Sequence, residues 1–184
     1  MGTVNVLREI ADQLRKKDWN FSVNPCDENH PNWNTPNIKS RPQYNNSVIC
    51  SCSFPGGICH IEMIFLKGQD LDGIPPPSLA KLPYIKQIDL TRNYLHGYGA
   101  AEKDEAMPEK TTEGRRRDKR FSTHGTIPRE WASTKLELMS FTVNRLSGPI
   151  PGYIGNISTL KYLSLEHNMF SGSVPAELGK LDDH

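Results

Sequence analysis

Residues 136–157 read LELMSFTVNRLSGPIPGYIGNI, and residues 160–181 read LKYLSLEHNMFSGSVPAELGKL. Both segments have apolar residues at alternating positions, followed by Asn, Gly and Pro at the same offsets. Residues 61–82 and 85–97 follow much of the same pattern, with Gln69 where the others have Asn. Self-similarity at a fixed period is the sequence signature of a repeat protein. The sequence therefore predicts a stack of similar structural units.

The alternating apolar residues predict one short strand in each unit. Ile88 and Leu90 are separated by a single residue, as are Leu163 and Leu165, so each pair turns to the same side of a strand. A stack of such strands buries a continuous core that no single repeat can form alone. Helical packing is the alternative for apolar residues at three-residue spacing, but recurrent Asn, Gly and Pro at fixed offsets disfavour it.

One amide residue follows each predicted strand, and we call these residues the ladder positions. A side-chain amide both donates and accepts, so it can satisfy backbone groups where the chain leaves the strand. A glycine four residues later suits the tight turn that must follow. The ladder positions are Gln69, Asn93, Asn144 and Asn168, and the glycines are Gly73, Gly97, Gly148 and Gly172.

The repeated motif resembles the extracellular plant-type leucine-rich repeat. It is carried by NRLSGPIP (144–151), HNMFSGSVP (167–175) and LAKLPYIKQIDLTRNYLHG (79–97). Together with KKDWNFSVNPC (16–26) and VICSCSFPGGICHI (48–61), the order of motifs is similar to the start of the ectodomain of plant leucine-rich-repeat receptor-like serine/threonine kinases, in the malectin-containing subgroup.

The resemblance implies an α/β fold, a right-handed leucine-rich-repeat solenoid of about four turns with a helical, disulfide-stapled N-terminal cap. The implied organisation is a cap over 1–60, two repeats over 61–97, an insertion over 98–125 and the remaining repeats over 126–184. The cap helix is expected to bury one apolar face, and three aromatic residues are expected in the cap core. The face consists of Val4, Leu7, Ile10, Ala11 and Leu14, and the aromatic residues are Trp19, Phe21 and Trp33.

The cysteines all lie in the N-terminal third, at Cys26, Cys50, Cys52 and Cys59. An even number in one short segment favours disulfides and an oxidising compartment. A zinc site made of the last three cysteines and His60 is the alternative, although the spacing lacks the paired C-x2-C knuckles of common zinc modules. Four cysteines allow three pairings. The resemblance implies Cys26 with Cys50 and Cys52 with Cys59.

A charged tract interrupts one repeat. Removing residues 98–125 joins NYLHG (93–97) to TIPREWAS (126–133) and restores an unbroken repeat. The tract has few apolar residues and no sustained period, which predicts a disordered loop. Its segment GRRRDKR (114–120) is interpreted as a solvated charge run, with a nucleic-acid or nuclear-localisation patch as the alternative. The position of the tract inside one repeat suggests a retained intron or gene-model artefact, a hypothesis that transcript sequencing tests.

The sequence carries no catalytic signature of a kinase, since it lacks a Gly-rich loop in the right setting, H-R-D and D-F-G. We therefore predict no enzyme activity and no cofactor or metal. A net charge of +1 provides no general attraction to nucleic acid or to acidic membranes. We expect no nucleic-acid partner.

The resemblance instead implies an extracellular region that binds a protein, peptide or glycan ligand, or a co-receptor ectodomain. The parent receptor would lie in the plasma membrane, and the signal peptide, later repeats, membrane helix and kinase domain of the family are absent from this sequence, as expected of a fragment. The alternative is a secreted leucine-rich-repeat inhibitor of a pathogen wall hydrolase.

The predicted ligand surface is the concave face of the sheet. Residues two and four positions before each ladder position should point outward, and we call them, with Tyr162 alongside, the binding strip. The binding strip consists of Phe65, Lys67, Asp89, Thr91, Ser140, Thr142, Tyr162, Ser164 and Glu166. Three Asn-x-Ser sequons, at Asn20, Asn45 and Asn156, predict N-glycosylation.

Overall fold

The computed structural model describes residues 3–27, 29–35, 44–97 and 127–183. The predicted insertion at 98–125 lies outside these residues, so its disorder stays a prediction. The described elements are α1 (Thr3–Leu14), β1 (Asn34–Thr35), β2 (Asn45–Ser51), β3 (His60–Lys67), β4 (Gln87–Asp89), β5 (Leu138–Ser140), β6 (Ser147–Pro149), β7 (Tyr162–Ser164) and β8 (Met169–Ser171). Short 3-10 helices span Pro55–Gly57, Pro77–Lys81, Arg129–Ser133, Gly152–Asn156 and Ala176–Asp183.

Six strands form the main sheet, in the order β1-β2-β3-β4-β5-β7. The pairs β3–β4, β4–β5 and β5–β7 are parallel, whereas β1–β2 and β2–β3 are antiparallel. Each of the four segments with the repeated pattern contributes one parallel strand. Because β4 pairs directly with β5, the residues between 97 and 127 do not interrupt the stacking of these strands. Strands β6 and β8 form a separate parallel pair.

The core lies behind the main sheet, where the alternating apolar side chains meet. Ile88 and Leu90 are fully buried, as predicted. Leu163 and Leu165 turn to the same side but are only half-buried. Leu163 lies in β7 and Leu165 follows directly after it, and β7 has one neighbouring strand in the described part of the chain. A strand with a single neighbour receives less cover for its apolar face.

Asn93, the ladder position of the second repeat, forms hydrogen bonds with backbone groups of its own repeat and of the preceding one. Nδ2 of Asn93 donates to the carbonyl oxygens of Leu66 and Leu90, at 2.8 Å each. Its Oδ1 accepts from the backbone N–H groups of Gln69 (3.0 Å) and Leu71 (3.1 Å). One side chain therefore satisfies two donors and two acceptors where the chain turns out of the strand.

The next two repeats use their asparagines in the same way. Nδ2 of Asn144 donates to the carbonyl oxygens of Leu90 and Phe141, at 2.9 Å each. Nδ2 of Asn168 donates to those of Phe141 (2.9 Å) and Leu165 (3.0 Å). Each asparagine thus bonds its own repeat and the preceding one, which confirms the predicted role of these positions.

Gln69 occupies the first ladder position, where the preceding element is not another repeat. Its Nε2 donates to the carbonyl oxygen of Asn45 on β2 (3.0 Å), and its Oε1 accepts from Nζ of Lys16 (3.1 Å). Nζ of Lys16 also bonds Asp18 (2.5 Å). Burial lowers the pKa of Lys16, while Asp18 acts in the opposite direction. The longer glutamine side chain therefore joins the first repeat to the segment after α1.

Helix α1 buries an apolar face that differs from the predicted one at a single position. Val4 is half-buried, and Val6 is buried in its place. The full buried set is Val6, Leu7, Ile10, Ala11 and Leu14. The buried face of α1 is rotated slightly from the face predicted by the spacing of the apolar residues. The rotation arises because α1 packs against the 3-10 helix Pro77–Lys81, which fixes its orientation.

The repeated glycines have different structural reasons. Gly148 and Gly172 adopt φ values of 85° and 79°, as the predicted turn requires. Gly73 is needed for space, because a Cβ there would lie 2.1 Å from the carbonyl oxygen of Gln13 and 2.6 Å from the carbonyl carbon of Leu14. The end of α1 therefore rests directly on the backbone of the first repeat.

The four cysteines form the bridges Cys26–Cys50 and Cys52–Cys59. This is the pairing that the resemblance implied. A disulfide sulfur is not a thiolate, and zinc requires thiolates from cysteine. The zinc alternative with His60 is therefore wrong.

Three aromatic residues of the N-terminal segment pack together. The ring centroids of Trp19 and Trp33 are 5.0 Å apart, and Phe21 lies 5.7 Å from Trp33. Both indole rings are buried, and Nε1 of Trp19 donates to Oδ1 of Asn46 (3.2 Å). Trp19 and Trp33 therefore lie in the core of the N-terminal segment, as expected, whereas Phe21 is half-buried against that core.

The residues from Ile127 to Ser133 complete the repeat that begins with β4. Ile127 and Trp131 are buried, and Nε1 of Trp131 donates to the carbonyl oxygen of Pro76 in the preceding repeat (2.9 Å). The hydroxyl of Tyr153, in the following repeat, donates to the carbonyl oxygen of Ile127. The 3-10 helix Arg129–Ser133 thus packs between equivalent helices of its two neighbours.

Candidate ligand-binding surface

The strand register places one row of the binding strip in line across four strands. Phe65 pairs with Asp89, Asp89 with Ser140, and Ser140 with Ser164. These residues alternate with inward-facing neighbours and therefore share the outward face of the sheet. The sequence pattern predicted this alignment correctly.

Three hydroxyl-bearing members of the binding strip are buried. Thr91, Ser140 and Ser164 are only 7%, 5% and 8% exposed. The Oγ1 of Thr91 lies 2.8 Å from the Oγ of Ser140, and the Oγ1 of Thr142 lies 2.5 Å from the Oγ of Ser164. These three residues are buried because neighbouring strands bring their hydroxyls together in pairs.

The accessible part of the binding strip is aromatic and charged. Tyr162 is 53% exposed, and Glu166 is also exposed. Phe65, Lys67 and Asp89 are half-buried, as is Thr142. One carboxylate oxygen of Asp89 accepts from the backbone N–H of Thr91 (2.9 Å), which fixes the orientation of the acid on the sheet.

A second outward row lies beside the first, and the sequence reasoning identified only its Tyr162. Met63, Gln87, Leu138 and Tyr162 are register partners on the four parallel strands. Each lies six residues before a ladder position, so the alternation that selected the binding strip continues one step further towards the start of each strand. Apart from the exposed tyrosine, the row is half-buried and mainly apolar.

A row of alternating charges borders this surface. Nζ of Lys86 lies 2.8 Å from a carboxylate oxygen of Glu62, and Nζ of Lys161 lies 3.2 Å from one of Glu137. The hydrogen bond to Glu62 raises the pKa of Lys86 above its usual value, and Glu137 adds to the effect. Partly exposed pairs of this kind contribute little to stability, because solvent screens their charges. Their charges nevertheless compensate one another along this edge.

The three sequons lie in different surroundings. Asn20 and Asn156 are exposed, whereas Asn45 is half-buried at the start of β2. Oγ of Ser47 donates to Oδ1 of Asn45 (2.7 Å). Glycosylation at each of them stays a prediction.

The described residues contain no group of three or more His, Cys, Asp or Glu side chains placed to hold a metal ion. Within the same part of the chain, no helix combines the length and apolarity needed to cross a bilayer.

Residues 159–181 match the family model described as Leucine Rich Repeat. This segment is therefore a leucine-rich repeat. The curated proteins similar to this chain include plant receptor-like kinases. The chain is 39% identical to one probable leucine-rich repeat receptor-like serine/threonine-protein kinase of Arabidopsis thaliana over 89% of its length, and 37% identical to another over 86%. In both cases the match covers 13% of the relative, so the chain spans about an eighth of the length of these proteins.

Solved structures show the same fold. The leucine-rich-repeat ectodomain of the receptor kinase SOBIR1 from Arabidopsis thaliana matches 97% of this chain and 72% of its own, with a TM-score of 0.59 at 22% identity. The ectodomain of the Arabidopsis thaliana receptor kinase GASSHO1/SCHENGEN3, solved in complex with CASPARIAN STRIP INTEGRITY FACTOR 2, matches 97% of this chain and 16% of its own, with a TM-score of 0.58 at 21% identity.

The fold alone does not decide what this chain binds. A plant ice-binding protein is also similar in structure, with a TM-score of 0.53 at 19% identity over 97% of this chain and 44% of its own. One fold hosts unrelated functions, which depend on the residues at the surface. The side chains on the outward face of this sheet therefore determine what the chain can bind.

Proposed function

We propose that this chain is an extracellular ligand- or co-receptor-binding part of a plant receptor-like kinase. The curated relatives at 37–39% identity support the kind of parent protein. In this proposal the parent lies in the plasma membrane with the repeats outside the cell, and this part of it has no catalytic role.

The proposal includes a finer description of the architecture. The parallel strands belong to a right-handed solenoid of about four turns, capped by α1 and the cystine-bearing segment. The cap spans 1–60, the first repeats 61–97, the insertion 98–125 and the remaining repeats 126–184. The direct pairing of β4 with β5 supports the placing of the insertion within one repeat.

The observation that carries the proposed function is the continuous outward surface of aromatic, apolar and charged side chains across four adjacent strands. Tyr162, at 53% exposed, is a large amphipathic side chain of the kind that anchors protein interfaces. Asp89 and Glu166 offer carboxylates, and Lys67 offers an ammonium group at the other end. Such a surface suits a protein or peptide partner with complementary charges.

The experiment is a binding screen of the secreted, oxidised chain against purified plant co-receptor ectodomains and a panel of synthetic peptides. Once a binder is found, Asp89→Ala and Tyr162→Ala are each expected to weaken it by more than about 1 kcal/mol. Tyr94→Ala is the matched control, because Tyr94 is 44% exposed but lies outside the binding strip.

Unchanged affinity for both strip variants, with the fold intact by circular dichroism, would contradict the assignment of the surface. Inhibition of a wall hydrolase by the same chain would instead favour the secreted inhibitor.

A further inference from the structure

The sequon at Asn45 lies on the same face of the sheet as the binding strip. Strand β2 pairs with β3 in a register that places Asn45 opposite Lys67 and Ser47 opposite Phe65. The intervening residue, Asn46, is buried at 3% exposure and turns to the other side. Because successive side chains of a strand alternate, Asn45 and Ser47 extend the outward face beyond β3.

The acceptor nitrogen of this sequon is open to solvent. In the described part of the chain, every buried side-chain nitrogen and oxygen has a hydrogen-bond partner. Oδ1 of Asn45 accepts from the Ser47 hydroxyl, whereas Nδ2 of Asn45 donates to none of the described groups. Nδ2 is therefore not buried, and it is the atom to which an N-linked sugar attaches.

The other two sequons lie away from this surface. Asn20 lies in the turn-rich segment after α1, where its backbone N–H donates to Oδ1 of Asn32 (2.7 Å). Asn156 is the last residue of the 3-10 helix Gly152–Asn156, outside the main sheet. A sugar on either of them would not share a strand face with the binding strip.

We propose that Asn45 carries an N-linked glycan that covers the end of the binding strip formed by Phe65 and Lys67, leaving the Tyr162 end accessible. Neighbouring strands lie about 4.8 Å apart, so the first sugar on Asn45 starts beside Lys67. An N-linked glycan is bulky and mobile enough to sweep over side chains at that distance. The inference rests on the proposed extracellular function, and it implies that ligands contact mainly the β4, β5 and β7 part of the surface.

The test needs no ligand. The full chain is secreted from a plant host, sequon occupancy is measured by glycopeptide mass spectrometry, and lysine accessibility is measured by the rate of labelling with an amine-reactive ester. We expect Asn45 to be occupied, and labelling of Lys67 to rise several-fold in Asn45→Gln and in Ser47→Ala. Labelling of Lys161 should not change, and Asn20→Gln is the matched control that should leave Lys67 unchanged.

An unoccupied Asn45 would overturn the proposal, as would equal labelling of Lys67 with and without the glycan. Enzymatic trimming of the glycan from the native protein gives the same comparison without a substitution. These outcomes are independent of the binding data on Asp89 and Tyr162, so failure of the glycan proposal is distinguishable from failure of the proposed function.

Discussion

Replacing Asn93 with Ala should be among the most damaging changes to this fold that do not touch its apolar core. The side chain makes four hydrogen bonds of 2.8 to 3.1 Å to backbone groups, and it is only 4% exposed. Removing a buried partner costs about 1 kcal/mol or more for each group left unsatisfied. Partial relaxation and entry of water reduce the sum, so we expect a loss of roughly 2 to 4 kcal/mol in the free energy of unfolding.

The assay is urea unfolding of the oxidised chain, followed by circular dichroism and by tryptophan fluorescence so that uncoupled transitions are detected. Two variants calibrate the result. Asn168→Ala removes a half-buried ladder side chain and should cost less, and Asn156→Ala, in unglycosylated protein, should stay within about 0.5 kcal/mol of the parent because Asn156 is exposed. A loss below about 0.5 kcal/mol for Asn93→Ala would refute the role of this side chain in joining the repeats.

Three further predictions follow from other contacts. Gly73→Ala should cost about 1 to 3 kcal/mol, because its Cβ would overlap the backbone of Gln13, whereas Gly179→Ala, with open space around it, should be neutral by the same unfolding assay. Burial, with Glu130 nearby, raises the pKa of Tyr153 to about 12. The contribution of the protonated Tyr153 hydroxyl to the free energy of unfolding should therefore be complete below about pH 10 and lost as the pH rises towards 12. The variant Tyr153→Phe should not show this loss of stability in alkaline unfolding curves. Deletion of residues 98–125 should preserve the thermal unfolding midpoint or raise it, since each halving of a flexible loop recovers about 0.6 kcal/mol, and a clear fall in the midpoint would contradict an insertion.

The spacing of the ladder positions was sufficient to predict the register of the parallel strands. A period of 24 residues between Asn144 and Asn168 places equivalent residues opposite each other, and the structure pairs Ser140 with Ser164 accordingly. The prediction works because the constraint is local: an amide that must reach two carbonyl oxygens fixes its own repeat against the preceding one. The same hydrogen-bonding requirement fixes β5 against β4, although Asn93 and Asn144 are 51 positions apart in the sequence.

Features that depend on the element before the first repeat could not be predicted in this way. Gln69 departs from the asparagine pattern because its partners are Lys16 and the backbone of Asn45, neither of which lies in a repeat. Gly73 has its role because the end of α1 lies against it. A repeat pattern contains no information about the distance to a non-repeating neighbour, so these contacts emerge only from the packing.

The binding strip shows where strand alternation stops being informative about function. Alternation decides which side chains leave the sheet on the outward side, but it does not distinguish a free hydroxyl from one held by the next strand. The hydroxyl of Ser140 is hydrogen-bonded to that of Thr91, and the hydroxyl of Ser164 is hydrogen-bonded to that of Thr142. Because those hydroxyls are turned towards each other, we expect a partner on the proposed surface to be recognised mainly through the charge of Asp89 and through aromatic contact. We therefore expect ligands to be selected by shape and complementary charge more than by hydrogen bonds to hydroxyl groups.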